Sequence, residues 1–146
     1  MNQIYNLNEG IDTIEAKIKQ DFSKEIYRDT ELRILAELVD NLENGLTKVS
    51  YAFIQGGILI PNVTDENTLP LMLVNSETYK DIKIIGQVQI PKIYVSTVKD
   101  FSKEYFKLDD YPTKKEALKD LSESYSHKFK PTDIISMYWI ENFERI

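Results

Sequence analysis

The sequence predicts an α+β protein: an N-terminal helical hairpin packed on a small, mostly antiparallel, barrel-like sheet of about five strands. Three observations predict it. Apolar residues recur at three- and four-residue spacing as far as Leu42, and at two-residue spacing from Val49 onward. Two strand-length apolar runs, 84–90 and 134–143, bracket two segments of helical spacing. The expected organisation is a helical hairpin over residues 1–46, part of the same unit as a barrel-like domain over residues 47–146. Late helices precede the closing strand.

Each element follows from a local signal. Ile11, Ile14, Ile18 and Phe22 place one apolar face on a first helix. Asp29-Thr30 can cap a second, with Leu32, Leu35, Leu38, Val39 and Leu42 along its stripe, and Asn44-Gly45 stops it. Alternation of Val49, Tyr51 and Phe53 with Lys48, Ser50 and Ala52 describes a half-buried strand. Gly56-Gly57 turns the chain into Ile58-Leu59-Ile60, and Pro61 ends that run because it lacks a ladder donor. Leu71 to Val74 and Ile84 to Ile90 read as further strands. Pro91 marks a bulge or a change of direction before Ile93-Tyr94-Val95. Helical spacing covers 98–106 and 113–125, and Thr113 three residues before Glu116 is a capping box. In the last strand Ile135, Met137 and Trp139 face one way, and Ile134, Ser136, Tyr138 and Ile140 the other.

Composition narrows the function classes. The 146 residues carry a net charge of −6, 42% hydrophobic content and no cysteine. Disulfide and thiolate chemistry are excluded, and no apolar run approaches the roughly 20 residues that span a bilayer. The N-terminal residues lack the basic-then-apolar pattern of a secretory signal, so a cytoplasmic protein is expected. Residues 1–46 hold ten acids against five bases. A broad DNA-binding surface is therefore not expected, because non-specific affinity comes from cations neutralising phosphates. No membrane partner, metal or cofactor is expected.

Residues 38–146 resemble the ASCH family, small domains of the PUA-like superfamily. Leu38 to Gly45 followed by the strand 48–53 looks like the family's helix, glycine and first motif strand. Ile84-Ile85-Gly86-Gln87-Val88-Gln89-Ile90 resembles its central strand. Tyr111 to Leu118 through Tyr125, with Tyr138 to Ile146, resembles its late helix and closing strand. The resemblance implies a PUA/ASCH-like β-barrel beside a cleft that binds a nucleotide or RNA. In some small bacterial members it implies hydrolysis of an acyl amide on a modified cytidine by a lysine, a threonine and an acidic residue. Carried over, the acidic position falls on Asp110 and the threonine position on Ser50. The lysine position holds Thr47, with Lys48 one place later, and Ala52 stands where the family usually has an arginine. Neighbouring strand residues point to opposite faces, so Lys48 and Ser50 share a face that Thr47 does not.

Three readings follow. The first is a binding module for a nucleotide or short single-stranded RNA, with Lys48 and Lys83 meeting phosphate and Tyr51 or Trp139 stacking a base. Tyr125, Phe129 and Tyr138 are further aromatic candidates. The second is a small acidic regulatory or inhibitory protein of the kind phages encode, the richness in Lys, Ile, Asn and Tyr suiting an AT-rich genome. It would dock a host protein through Glu37, Asp40 and Glu43 on the hairpin. The third is an amidohydrolase on acylated cytidine using Lys48, Ser50 and Asp110. Asp109-Asp110 reads more simply as a solvated corner than as a cation site, and His127 as a residue suited to the end of the late helix. Gly56-Gly57 lacks the spacing of a phosphate loop.

Overall fold

A computed structural model describes residues 1–146, in ten strands and four α-helices. The first sheet contains β1 (Asn2–Asn6), β8 (Lys92–Thr97), β9 (Ile134–Trp139) and β4 (Val49–Ala52), in that order and entirely antiparallel. The second contains β10 (Glu141–Arg145), β7 (Asp81–Gln89), β6 (Thr68–Val74) and β3 (Leu32–Leu35), with β3 parallel to β6. A parallel pair, β2 (Glu25–Asp29) and β5 (Gly57–Pro61), completes the strands. The strands are mostly antiparallel as expected, but the sheets are open, so the expected barrel of about five strands is corrected to ten strands in open sheets.

The first sheet is the middle layer, because the side-chain period of two sends alternate residues into two cores. Ile134 and Tyr138 of β9 enter a main cluster with Ile93 and Val95 of β8 and Leu69 and Leu71 of β6. Ile135 and Met137 enter a second cluster with Tyr94, Phe101 and Phe106. The two faces of the last strand are as the alternation predicts. Helix α1 (Ile11–Phe22) covers the main cluster through Ile14 and Ile18, four residues apart and both fully buried. Helix α4 (Lys114–Tyr125) covers the second through Ala117 and Leu121, and Thr113 caps it by accepting from the Glu116 N–H at 3.2 Å. Helices α2 (Val39–Glu43) and α3 (Lys103–Phe106) are single turns. The helix expected over 98–106 is thus only its last four residues.

The helical hairpin is not present. Residues expected to begin its second helix form β3, where Leu32 and Ile34 are buried and Arg33 points out to Asp81 and Glu31. Leucines at 32, 35 and 38 satisfy helical spacing, but Leu32 and Ile34 also satisfy a strand, and parallel pairing to β6 decides between them. Residues 1–46 supply strands to all three sheets, through β1, β2 and β3. Pro91 sits where the chain passes from the second sheet to the first, which is the expected change of direction. A second change occurs at Ile140, between β9 and β10, so the expected single closing run divides between sheets. No helix is long and apolar enough to cross a membrane.

Candidate functional site

β4 ends the first sheet: β9 is its only partner. Its other edge opens into a cleft of about 610 Å³, within the usual range for small-ligand sites. Three stretches supply the lining. Residues from β3 through α2 give apolar side chains including Leu35, Leu38 and Leu42; residues 46–51 give the strand edge; residues 107–110 with Leu121, Ser124 and Tyr125 give the opposite side.

The turn after α3 places the acids. The Asp110 N–H donates to the Lys107 carbonyl, and the Tyr111 N–H donates to the Phe106 carbonyl at 3.1 Å. Asp110 itself is left-handed, with φ of 60°. This pair of bonds is the Schellman helix stop, a position glycine usually fills because a Cβ is strained there. Asp109, one residue earlier, is half-buried, and its carboxyl is pushed up to about 6, chiefly by burial and then by the neighbouring Asp110 charge. Neither acid is in an ion pair, and neither are Lys48 and Lys107, the lysines of the same cleft. Arg33 also lines the cleft but is held by Asp81 and Glu31.

Two tyrosines complete the site. The Tyr51 ring packs on Phe106 with centroids 5.7 Å apart, and its buried hydroxyl has no hydrogen-bond partner. Burial, then the charge of Asp109, then Tyr111 push that hydroxyl's pKa up, so it remains a neutral donor. Tyr125 donates its hydroxyl to the Tyr51 carbonyl at 3.0 Å, and burial and then Asp29 raise its pKa to about 12.

Of the residues predicted from sequence, Lys48, Ser50, Tyr51 and Asp110 all line this one cleft. No hydrogen bond joins Lys48, Ser50 and Asp110 to one another. Thr47 lines the cleft as well, which corrects the expectation that Thr47 and Lys48 are alternatives on opposite faces. The cleft lies off the strand's edge, where consecutive residues meet it. Tyr51 is less free than expected, since its ring is committed to the aromatic cluster.

Lys83 and Trp139 are not part of the cleft. Lys83 stands exposed on β7 opposite Leu73. Trp139 packs edge-on against Tyr105 at 5.4 Å, with the Lys92 ammonium 4.4 Å above its ring. Glu37, Asp40 and Glu43 are exposed outside the cleft lining, and Glu43 pairs with Arg145. His127 is tied to Asp133 at 2.9 Å and packs on Phe53, which explains it structurally. No cluster of three or more acidic or histidine side chains is arranged to hold a metal. Lys107 and the Tyr125–Tyr51 bond were not expected. Lys107 lies in the same turn as Asp110, and that was the available signal.

No family model and no curated protein matches the chain. Among solved structures it is similar to ASCH domains. A variant of the ASCH protein of Zymomonas mobilis aligns at 11% identity with a TM-score of 0.49, over 84% of this chain and 72% of that one. The ASCH domain of Lactobacillus crispatus aligns at 12% identity and 0.49, over 96% and 92%. A protein of Enterococcus faecalis described by the family DUF984 aligns at 7% and 0.48, over 94% and 90%.

Proposed function

We propose that the cleft beside β4 binds a nucleotide or the base of a short single-stranded RNA. The observation that carries this reading is the convergence of two distant stretches, 46–51 and 107–110, on one concavity with apolar walls and two unpaired lysines. A nucleotide needs both parts: hydrocarbon against the ring faces, and cations that are not already neutralised for the phosphate. Leu35, Leu38 and Leu108 are of the first kind, and Lys48 and Lys107 of the second. Ser50, Ser124 and the amide of Asn41 add hydroxyl and amide groups suited to a sugar.

Calorimetric titration with nucleoside monophosphates tests the reading. Saturable binding is expected, weakened by about tenfold or more in Lys48→Glu and in Lys107→Glu, because each change places a like charge beside the phosphate. Binding that is absent, or unchanged in both variants, refutes it.

The amidohydrolase reading keeps one supporting observation: Lys48, Ser50 and Asp110 share the cleft. Its test is release of the acyl group from acylated cytidine, lost in Lys48→Ala. The docking reading lacks the helical hairpin on which it was built, and the exposed Glu37 and Asp40 are its remaining support.

A further inference from the structure

We propose, resting on the reading of the cleft as a nucleotide site, that the cleft takes up its anionic ligand together with a proton from solvent, and that Asp109 is the group that receives it.

The charges on the cleft wall lead to this. Its charged residues are Arg33, Lys48, Lys107, Asp109 and Asp110. Arg33 is held by Asp81 and Glu31. The other four are in no ion pair, two positive against two negative. With both acids ionised these charges cancel, and an arriving phosphate is repelled by the acids as it is drawn to the lysines. A proton on one acid leaves a positive excess. An anion in the cleft favours that proton in turn, because a neutral carboxyl does not repel it. Binding and protonation therefore assist each other, and by linkage the assistance is equal in both directions.

The backbone decides which acid takes the proton. Lys103–Phe106 and Lys107–Asp109 run on as one helical stretch, so Asp109 is its last residue. The unsatisfied carbonyls at a helix end oppose a negative charge there. The Asp109 carboxyl is half-buried, and no hydrogen bond offsets its burial. Burial, the helix end and the Asp110 charge all act against its ionised form, and its rise to about 6 agrees with that sum. Asp110, beyond the helix stop, is exposed, so water solvates its charge.

Each element packed around Asp109 contributes few other groups. Lys107 and Asp110 share its turn, and Lys48 stands on the β4 side of the cleft. Tyr51 of β4 and Tyr111 after the turn lie near enough for the Asp109 charge to help raise both hydroxyls, which stay neutral. From α4 come Asp120, against the Tyr111 hydroxyl, and Tyr125, which donates to the Tyr51 carbonyl. The chain's one histidine is outside the lining, tied to Asp133.

The test is calorimetric titration with the dinucleotide UpU, whose single phosphodiester charge and whose bases do not titrate between pH 5 and pH 8. One unit of charge in the cleft corresponds to about five- to tenfold in affinity. Affinity is expected to be highest at pH 5 and to fall by that factor by pH 8. The fall lies above about 6, because the bound anion strengthens the hold of Asp109 on its proton. Titrations at pH 7 in two buffers of different ionisation enthalpy should show net proton uptake, read on the unaltered protein. Asp109→Asn should bind with the tighter, low-pH affinity throughout and take up none. Affinity that is flat or rises with pH overturns the proton coupling. So does pH dependence or proton uptake that persists in Asp109→Asn. Either result leaves the nucleotide cleft standing. Failure of UpU to saturate at any pH overturns both.

Discussion

Asp109→Asn should make this protein more stable at neutral pH, and the gain should vanish in acid. The Asp109 carboxyl is moved from an ordinary value of 3.8 to about 6 by burial and by the charge of Asp110. The fold therefore holds a proton at Asp109 that the unfolded chain has already released, throughout the interval between those two values. Stability falls as pH rises through that interval, and the whole penalty is present above about 6. At about 1.4 kcal/mol per tenfold, the displacement corresponds to at most ~3 kcal/mol. The side chain is only half-buried, and solvent screening reduces the expected penalty to about 1 kcal/mol. An amide of the same shape carries no charge and escapes it. Chemical denaturation of both proteins at pH 7.5 and at pH 4 measures the difference. The expected result is a gain of about 1 kcal/mol at the higher pH and near zero at the lower. A variant that is destabilised at pH 7.5, or a gain that does not depend on pH, refutes the assignment of Asp109 as an uncompensated buried charge.

Asp110→Gly should stabilise the fold by about 0.5–1 kcal/mol in thermal melts, because glycine relieves the left-handed backbone that Asp110 now occupies. The same variant should release Asp109 toward its ordinary value. Gly86→Ala should destabilise by about 2 kcal/mol or more, since its Cβ would enter the backbone of Glu144 where β10 crosses β7. Denaturation midpoints measure that cost. Tyr138→Phe should cost about 1–2 kcal/mol, because the fully buried hydroxyl donates to Asp29 at 3.1 Å and its loss leaves a half-buried carboxylate without that donor. Asp133→Asn should lower stability at pH 7, read as a lower denaturation midpoint. Burial raises the Asp133 pKa, but the Lys130 N–H and His127 outweigh it and hold the carboxyl below its usual range. That contribution is present above the unfolded value and is lost as pH falls through the folded one, so the two proteins should converge in strong acid.

The sequence reading succeeded where one signal acted alone. Ile11, Ile14 and Ile18 recur at three and four residues, which a strand's period of two does not allow, and α1 forms as expected. In β9 the period of two assigns residues to faces as the structure has them, and the two faces enter two separate cores. It failed where two periods coincide. Leu32, Ile34, Leu35 and Leu38 fit both helix and strand, and long-range pairing to β6, absent from any local window, selects the strand. The flanking strands β1, β2 and β10 are exposed or half-buried along much of their length, so they carry little apolar pattern to read.

The site divides the same way. Lys48, Ser50, Tyr51 and Asp110 were legible as residues, but the manner in which β4 meets the cleft was not. A face argument treats Thr47 and Lys48 as exclusive, whereas an edge admits both, and nothing in a sequence says which strand ends a sheet. The unpaired state of Lys107 and Asp109 is likewise a property of the assembled surroundings.

Intermolecular NOEs between a bound nucleotide and the protein's leucine methyls show whether both walls of the cleft meet one ligand. Contacts are expected from the base protons to Leu35 or Leu38 on one side and to Leu108 or Leu121 on the other, in the same complex. Contacts confined to the neighbourhood of Trp139 or Lys83, or to only one of those two sides, would contradict that expectation.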